Sequence, residues 1–184
     1  MKLIQPLKNE IAIVLSLTFL ALAVRLLALF SLSETPYFSF LLWDEKVYHV
    51  MAVKIVNNAY NSKSVYEFSP LPLYLIAGIY KLFGINILYV RVLSLFWGVL
   101  TCVNIYFITK LLTQKNIAYL AMLIAAFYQP FILYAIVPLK TSFSLFLMSG
   151  VLAMLLFTLN GPHWLKAVIT GIIAGLCLNV RPNS

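Results

Sequence analysis

The sequence predicts an all-α integral membrane protein, a multi-span helical bundle whose first external loop carries juxtamembrane helices. Three observations predict it. Of 184 residues, 63% are hydrophobic and 10% charged, with a mean hydropathy of +0.98. Soluble domains run at about 45–50% apolar and about 25% charged, and a chain this size cannot hide the excess from water, whereas a bilayer removes the need to. Apolar runs of about 20 residues recur, each able to cross about 30 Å of hydrocarbon at 1.5 Å per residue. Finally, Glu34, Asp44, Glu45 and Glu67, four of the five acids, fall within one polar stretch at 33–69.

The elements follow in order. Residues 1–10 are short and polar, with Lys2 and Lys8. The apolar run 11–32 is too long for a signal peptide and is not followed by a small-residue cleavage site, so it reads as a retained first span. The lysines ahead of it place the N-terminus in the cytoplasm and residues 33–69 outside. Within that loop, 45–60 reads as a helix with Val47, Val50, Met51 and Ile55 on one face, lying along the membrane surface. The segment 70–84 is apolar but short, an interfacial or re-entrant helix with Pro70 and Pro72 in its first turn and Gly84 at its end. Spans follow at 89–112, 117–137, 141–159 and 164–180. With five crossings, Lys110, Lys115 and Lys166 share the side of Lys2 and Lys8, as positive-inside bias requires, and Arg181 reaches the outer face. The chain then stops directly after an apolar run, so 1–184 reads as the truncated N-terminal part of a single transmembrane domain.

Several function classes drop out. The net charge of +8 is spread between apolar runs. It suits orientation and anionic lipid headgroups and does not imply nucleic acid. Cys102 and Cys177 sit inside spans as small hydrophobes. His49 and His163 lack metal-ligand spacing, and no Gly-rich phosphate loop is present. No cofactor is expected; a divalent metal stays open, although one Asp-Glu pair is thin for one.

Asp44 and Glu45 are the first candidates for chemistry. Adjacent acids do not share a helix face, so they are not a glycosidase-type pair. Asp44 can cap a helix beginning at Glu45, and a capped carboxylate at a membrane surface is rigid yet open to an outside acceptor. Arg25, Lys81, Arg91, Lys140 and Arg181 supply cations near the same face. Arg25, about 10 Å inside the first span, either faces a bundle interior or snorkels outward. Trp43, Tyr48, Tyr66 and Phe68 suit stacking on a sugar or prenyl group, or an interfacial belt. Jointly these groups fit a sugar on a lipid phosphate, whose phosphate needs cations and whose attacking hydroxyl needs a base.

The order of short motifs then resembles a family. Asp44-Glu45-x-x-Tyr48, Pro70-Leu-Pro72-Leu-Tyr74 closing at Leu82-Phe83-Gly84, Arg91-Val-Leu-Ser94 with Gly98, and Leu178-Asn-Val-Arg181-Pro-Asn183 resemble the GT-C glycosyltransferases. The likeness is to the group of protein O-mannosyltransferases and lipid A aminoarabinose transferases. Two positions depart: relatives often carry an acid at the turn held here by Lys140-Thr141-Ser142, and some place Lys or His where Ser69 stands. The resemblance implies a GT-C-type bundle in a cell membrane, with the site facing outside. It implies a hexosyl- or pentosyltransferase that moves a sugar from a polyprenyl-phosphate donor to a hydroxyl on a glycan, lipid or protein, inverting the anomeric centre. Asp44 is then the general base, Glu45 its catalytic neighbour, and Tyr48, His49, Arg91, Lys140, Arg181 and Asn183 contact substrate. The piece 1–184 alone is expected to be inactive. Two other classes stay open: a transporter or flippase for a lipid-linked substrate, and a non-catalytic membrane assembly subunit.

Overall fold

Proline, glycine and asparagine set where the apolar helices begin and end. A computed structural model describes residues 4–41, 43–59, 69–161 and 164–180, and every regular element among them is helical. Helix α1 is Ile4–Ser33, followed by a 3-10 turn at Pro36–Phe38. Then come α2 (Trp43–Val56), α3 (Pro70–Phe83), α4 (Ile87–Leu112), α5 (Lys115–Phe127), α6 (Gln129–Ile136), α7 (Lys140–Leu159) and α8 (Trp164–Val180). Pro70 and Pro72 fit the first turn of α3, where their missing N–H groups cost nothing. Gly84, at φ 95°, ends it in a conformation that disfavours any residue with a Cβ. Asn86 caps α4, its side-chain oxygen accepting from the Leu88 N–H at 2.9 Å.

The fold is the multi-span helical membrane bundle that the sequence predicts. Residues Asn9–Ser33 of α1, with α4 and α7, are long and apolar enough to cross a bilayer. The α5–α6 pair, bent by 54°, makes a fourth crossing if it is one span. The 17 residues of α8 and 14 of α3 give lengths of about 26 and about 21 Å. Large apolar side chains such as Phe19, Leu27 and Phe30 point outward, a placement that lipid favours.

Contacts along the helices fix their directions. Glu10 in α1 accepts from the Tyr106 hydroxyl at 2.8 Å and pairs with Lys110 in α4, while Leu29 packs with Leu95, so α1 and α4 run antiparallel. Ser142 donates to the Ser94 carbonyl at 2.7 Å, and Asn104 donates to Ser149 at 3.0 Å, so α4 and α7 run parallel. α8 returns beside α7, from Thr170 against Thr158 to Cys177 with Leu147. Lys110 and the Lys166 ammonium, which bonds the Gly161 carbonyl, therefore lie at one end of the bundle. α2, the start of α3 and the first turn of α7 lie at the other.

Two details differ from the sequence reading. The run 117–137 is not one helix. Pro130 has no N–H for the carbonyl of Ala126 four residues back, so the helix breaks there and restarts as α6. In α2 the buried face is Tyr48 and Ala52 against Leu73, Ile76, Ala77 and Tyr80 of α3, while Val50 is exposed. The small Ala52 lets the two helices approach, so partner shape selects the face over maximal apolarity.

Candidate active site

The chemistry-bearing side chains meet where α2, α3, α4 and α7 come together. α2 begins at Trp43, two residues ahead of the expected start at Glu45, so Asp44 lies inside the first turn instead of capping it, and Trp43 itself has φ 45°. A bulky residue in the left-handed region stores strain of order 1–3 kcal/mol. Asp44 and Glu45 follow in the first turn, where the helix dipole favours carboxylates. Asp44 is exposed and Glu45 half-buried, so Asp44 is the carboxylate open to an incoming group.

One turn on, Tyr48 is buried, with its hydroxyl close to Ser69. Burial raises its pKa, and the charge of Asp44 adds to that. Ser69, immediately before α3, also accepts from the Lys140 ammonium at 3.4 Å. Lys140 is the first residue of α7, whose N-terminal N–H groups have no side-chain cap. A cation and uncapped amide dipoles at one point make a place that favours an anion. Behind it lies a narrow cavity of about 20 Å³ bordered by Pro72, Ile76, Ser94, Trp97, Lys140 and Phe143.

Arg91 is fully buried one turn into α4. Its Nη1 donates to the Ile136 carbonyl at 2.9 Å and its Nη2 to the Phe38 carbonyl at 3.1 Å. The guanidinium stands 5.0 Å above the Phe38 ring, and Glu45 is close enough to act on it electrostatically. His49 turns the other way, onto α3, with Nδ1 2.7 Å from the Tyr80 hydroxyl. Burial lowers the pKa of His49 and pushes Tyr80 up to about 12, so at neutral pH a protonated phenol faces an uncharged ring. Arg181, Asn183, Tyr66, Phe68, Glu67 and His163 lie outside the described residues; the last described residue, Val180, is buried in a cluster with Leu71 of α3.

The structure thus gathers Asp44, Glu45, Tyr48, Arg91 and Lys140 and turns His49 toward Tyr80. Ser69, which links Tyr48 to Lys140, was visible in the sequence only as a departure from relatives. Arg25 is buried deep in the bundle, bonded to the carbonyls of Ala21 and Ala126 and to Cys102 Sγ. Among the described residues, no three His, Cys, Asp or Glu side chains cluster in a way that could hold a metal.

No curated protein and no solved structure matches the chain. Residues 67–184, more than half of the chain, match the family described as dolichyl-phosphate-mannose-protein mannosyltransferase. That stretch starts after α2 and takes in Ser69, Arg91, Lys140, Arg181 and Asn183. The family is one of membrane glycosyltransferases that draw sugar from polyprenyl-phosphate donors. With its helical membrane bundle and this match, the chain belongs to the dolichyl-phosphate-mannose-protein mannosyltransferase family.

Proposed function

We propose that this chain carries the catalytic face of a transferase that moves a sugar from a polyprenyl phosphate to an acceptor hydroxyl outside the membrane, with inversion. The carrying observation is the line Asp44–Tyr48–Ser69–Lys140, which sets an exposed carboxylate and an anion-favouring cation on one end of the bundle.

In this reading Asp44 accepts the acceptor's proton as the acceptor oxygen bonds to the sugar C1. The C1–O bond to phosphate breaks on the opposite side, and the electron pair leaves with the polyprenyl phosphate. General-base assistance of this kind contributes about 10²–10⁴-fold. The phosphate gains negative charge as it departs, so Lys140 and the first turn of α7 stabilise the transition state more than the bound donor. Tyr48 and Ser69 hold the spacing between base and cation. Arg181 and Asn183 join the substrate-binding set by resemblance. The acceptor hydroxyl belongs to a glycan, lipid or protein, and the bundle sits in a cell membrane with its N-terminus in the cytoplasm.

The test is transfer of labelled sugar from a polyprenyl-phosphate donor in membranes carrying the full-length protein. Product formation supports the reading. Flux of the intact lipid-linked donor across the membrane without sugar transfer would replace it with transport.

A further inference from the structure

We infer that Arg91 is a positioning residue, which fixes the turn presenting Asp44 and Glu45 by tying the end of α6 to the 3-10 turn ahead of α2. The inference rests on the transferase reading above and deepens it.

A cation at this end of the bundle invites assignment to the donor phosphate. The geometry assigns Arg91 elsewhere. The side chain is 1% exposed, and both terminal nitrogens are committed to backbone carbonyls. One of these, Ile136, is the last residue of α6, whose carbonyl has no continuing helix turn to donate to it. The other, Phe38, ends the 3-10 turn and stacks its ring under the guanidinium. An anion taking Arg91 would have to enter a site closed to solvent and unseat an aromatic ring. Among the described residues Lys140 makes one hydrogen bond, a long one to Ser69, and it is half-buried.

The ties converge on the acids. Phe38 lies in the connection that leads into α2, and Glu45, in its first turn, is the carboxylate that acts on Arg91. Arg91 therefore holds the approach to α2 from below and balances the charge of Glu45, leaving Asp44 as the exposed carboxylate. A planar guanidinium reaches both carbonyls at once; a lysine ammonium in its place is a point charge on a flexible stem and cannot reproduce the fork.

The experiment measures donor titration curves for wild type and Arg91→Lys in membranes carrying the full-length protein. The same membranes carry Phe40→Cys for labelling with a membrane-impermeant maleimide. Phe40 is exposed and Cys102 and Cys177 are buried, and membranes carrying the protein without Phe40→Cys give the background to subtract. Loosening the turn misplaces the base, so kcat should fall about tenfold or more while the donor KM stays within about twofold. Labelling should quicken. A defect confined to donor KM, or unchanged kinetics with unchanged labelling, overturns the inference. Wild-type membranes without transfer from any donor would sink the transferase reading instead, and the labelling rate would still decide whether Arg91 holds the turn.

Discussion

Arg25 donates through Nη1 to the carbonyl of Ala126 at 3.3 Å, the carbonyl that Pro130 leaves without a helical donor. The same nitrogen reaches the Ala21 carbonyl at 3.0 Å, and Nη2 reaches Cys102 Sγ at 3.3 Å. A buried cation at the C-terminal end of α5 also meets the negative end of that helix's dipole. The arginine, costly inside a bilayer when unsatisfied, here repairs a break in the bundle.

This pairing makes Arg25→Leu destabilising by about 1–3 kcal/mol, because it orphans a buried carbonyl. Pro130→Ala restores an N–H to that carbonyl, so Arg25→Leu should cost less in the Pro130→Ala background than alone. Thermal unfolding of the detergent-solubilised protein reads the difference; equal costs in both backgrounds would contradict the repair.

Gly98 sits where α6 packs tightly against α4. A Cβ there would lie 2.7 Å from the Ala135 Cβ and 3.1 Å from Arg25 Nε. Gly98→Ala should therefore cost about 1–3 kcal/mol through overpacking, and Ala135→Gly should recover part of it. Melting temperatures of the two single variants and the double variant check this; a Gly98→Ala protein as stable as wild type would show that the helices can part freely.

These two sites also show what was legible in the sequence. Apolar runs and their prolines locate α3 and the long helices, because lipid demands long apolar runs and Pro and Gly84 punctuate them. Arg91, Ser94 and Gly98 stood out as a spaced set. The structure supplies the reason: all three lie on the face of α4 that meets α6 and α7, where each allows a different close contact. The destination of Arg25 was not legible, since its partners are a backbone carbonyl and a thiol far away in sequence. The break at Pro130 left a local signal, but hydropathy across 117–137 masked it. Ser69 escaped notice as a link because its partners come from α2 and α7, an adjacency that only the fold creates.

His49 gives a pH dependence with a definite sign. Its pKa is lowered by burial, so the contribution of the neutral ring to α2–α3 packing is fully present above the ordinary histidine value, about 6.5. That contribution is lost as pH falls through the lowered value. Melting profiles between about pH 5 and 8 should show stability dropping on the acid side, and His49→Gln should flatten that limb. A limb unchanged in the variant would assign it to another group.

Lys140→Gln should weaken donor use by about 10–100-fold in kcat/KM, the loss of one charge-assisted hydrogen bond of about 1.5–3 kcal/mol. Initial rates at subsaturating donor measure it. Wild-type kcat/KM in the variant would remove Lys140 from the phosphate.

The most direct measurement compares sugar transfer from a polyprenyl-phosphate donor by wild type and Asp44→Asn, in membranes holding equal amounts of each full-length protein. Asparagine keeps the shape and the exposed place in the first turn of α2 but cannot take a proton. The account predicts that transfer falls by about 10²–10⁴-fold with membrane insertion intact. Transfer at the wild-type rate would contradict it, and would move the base away from Asp44.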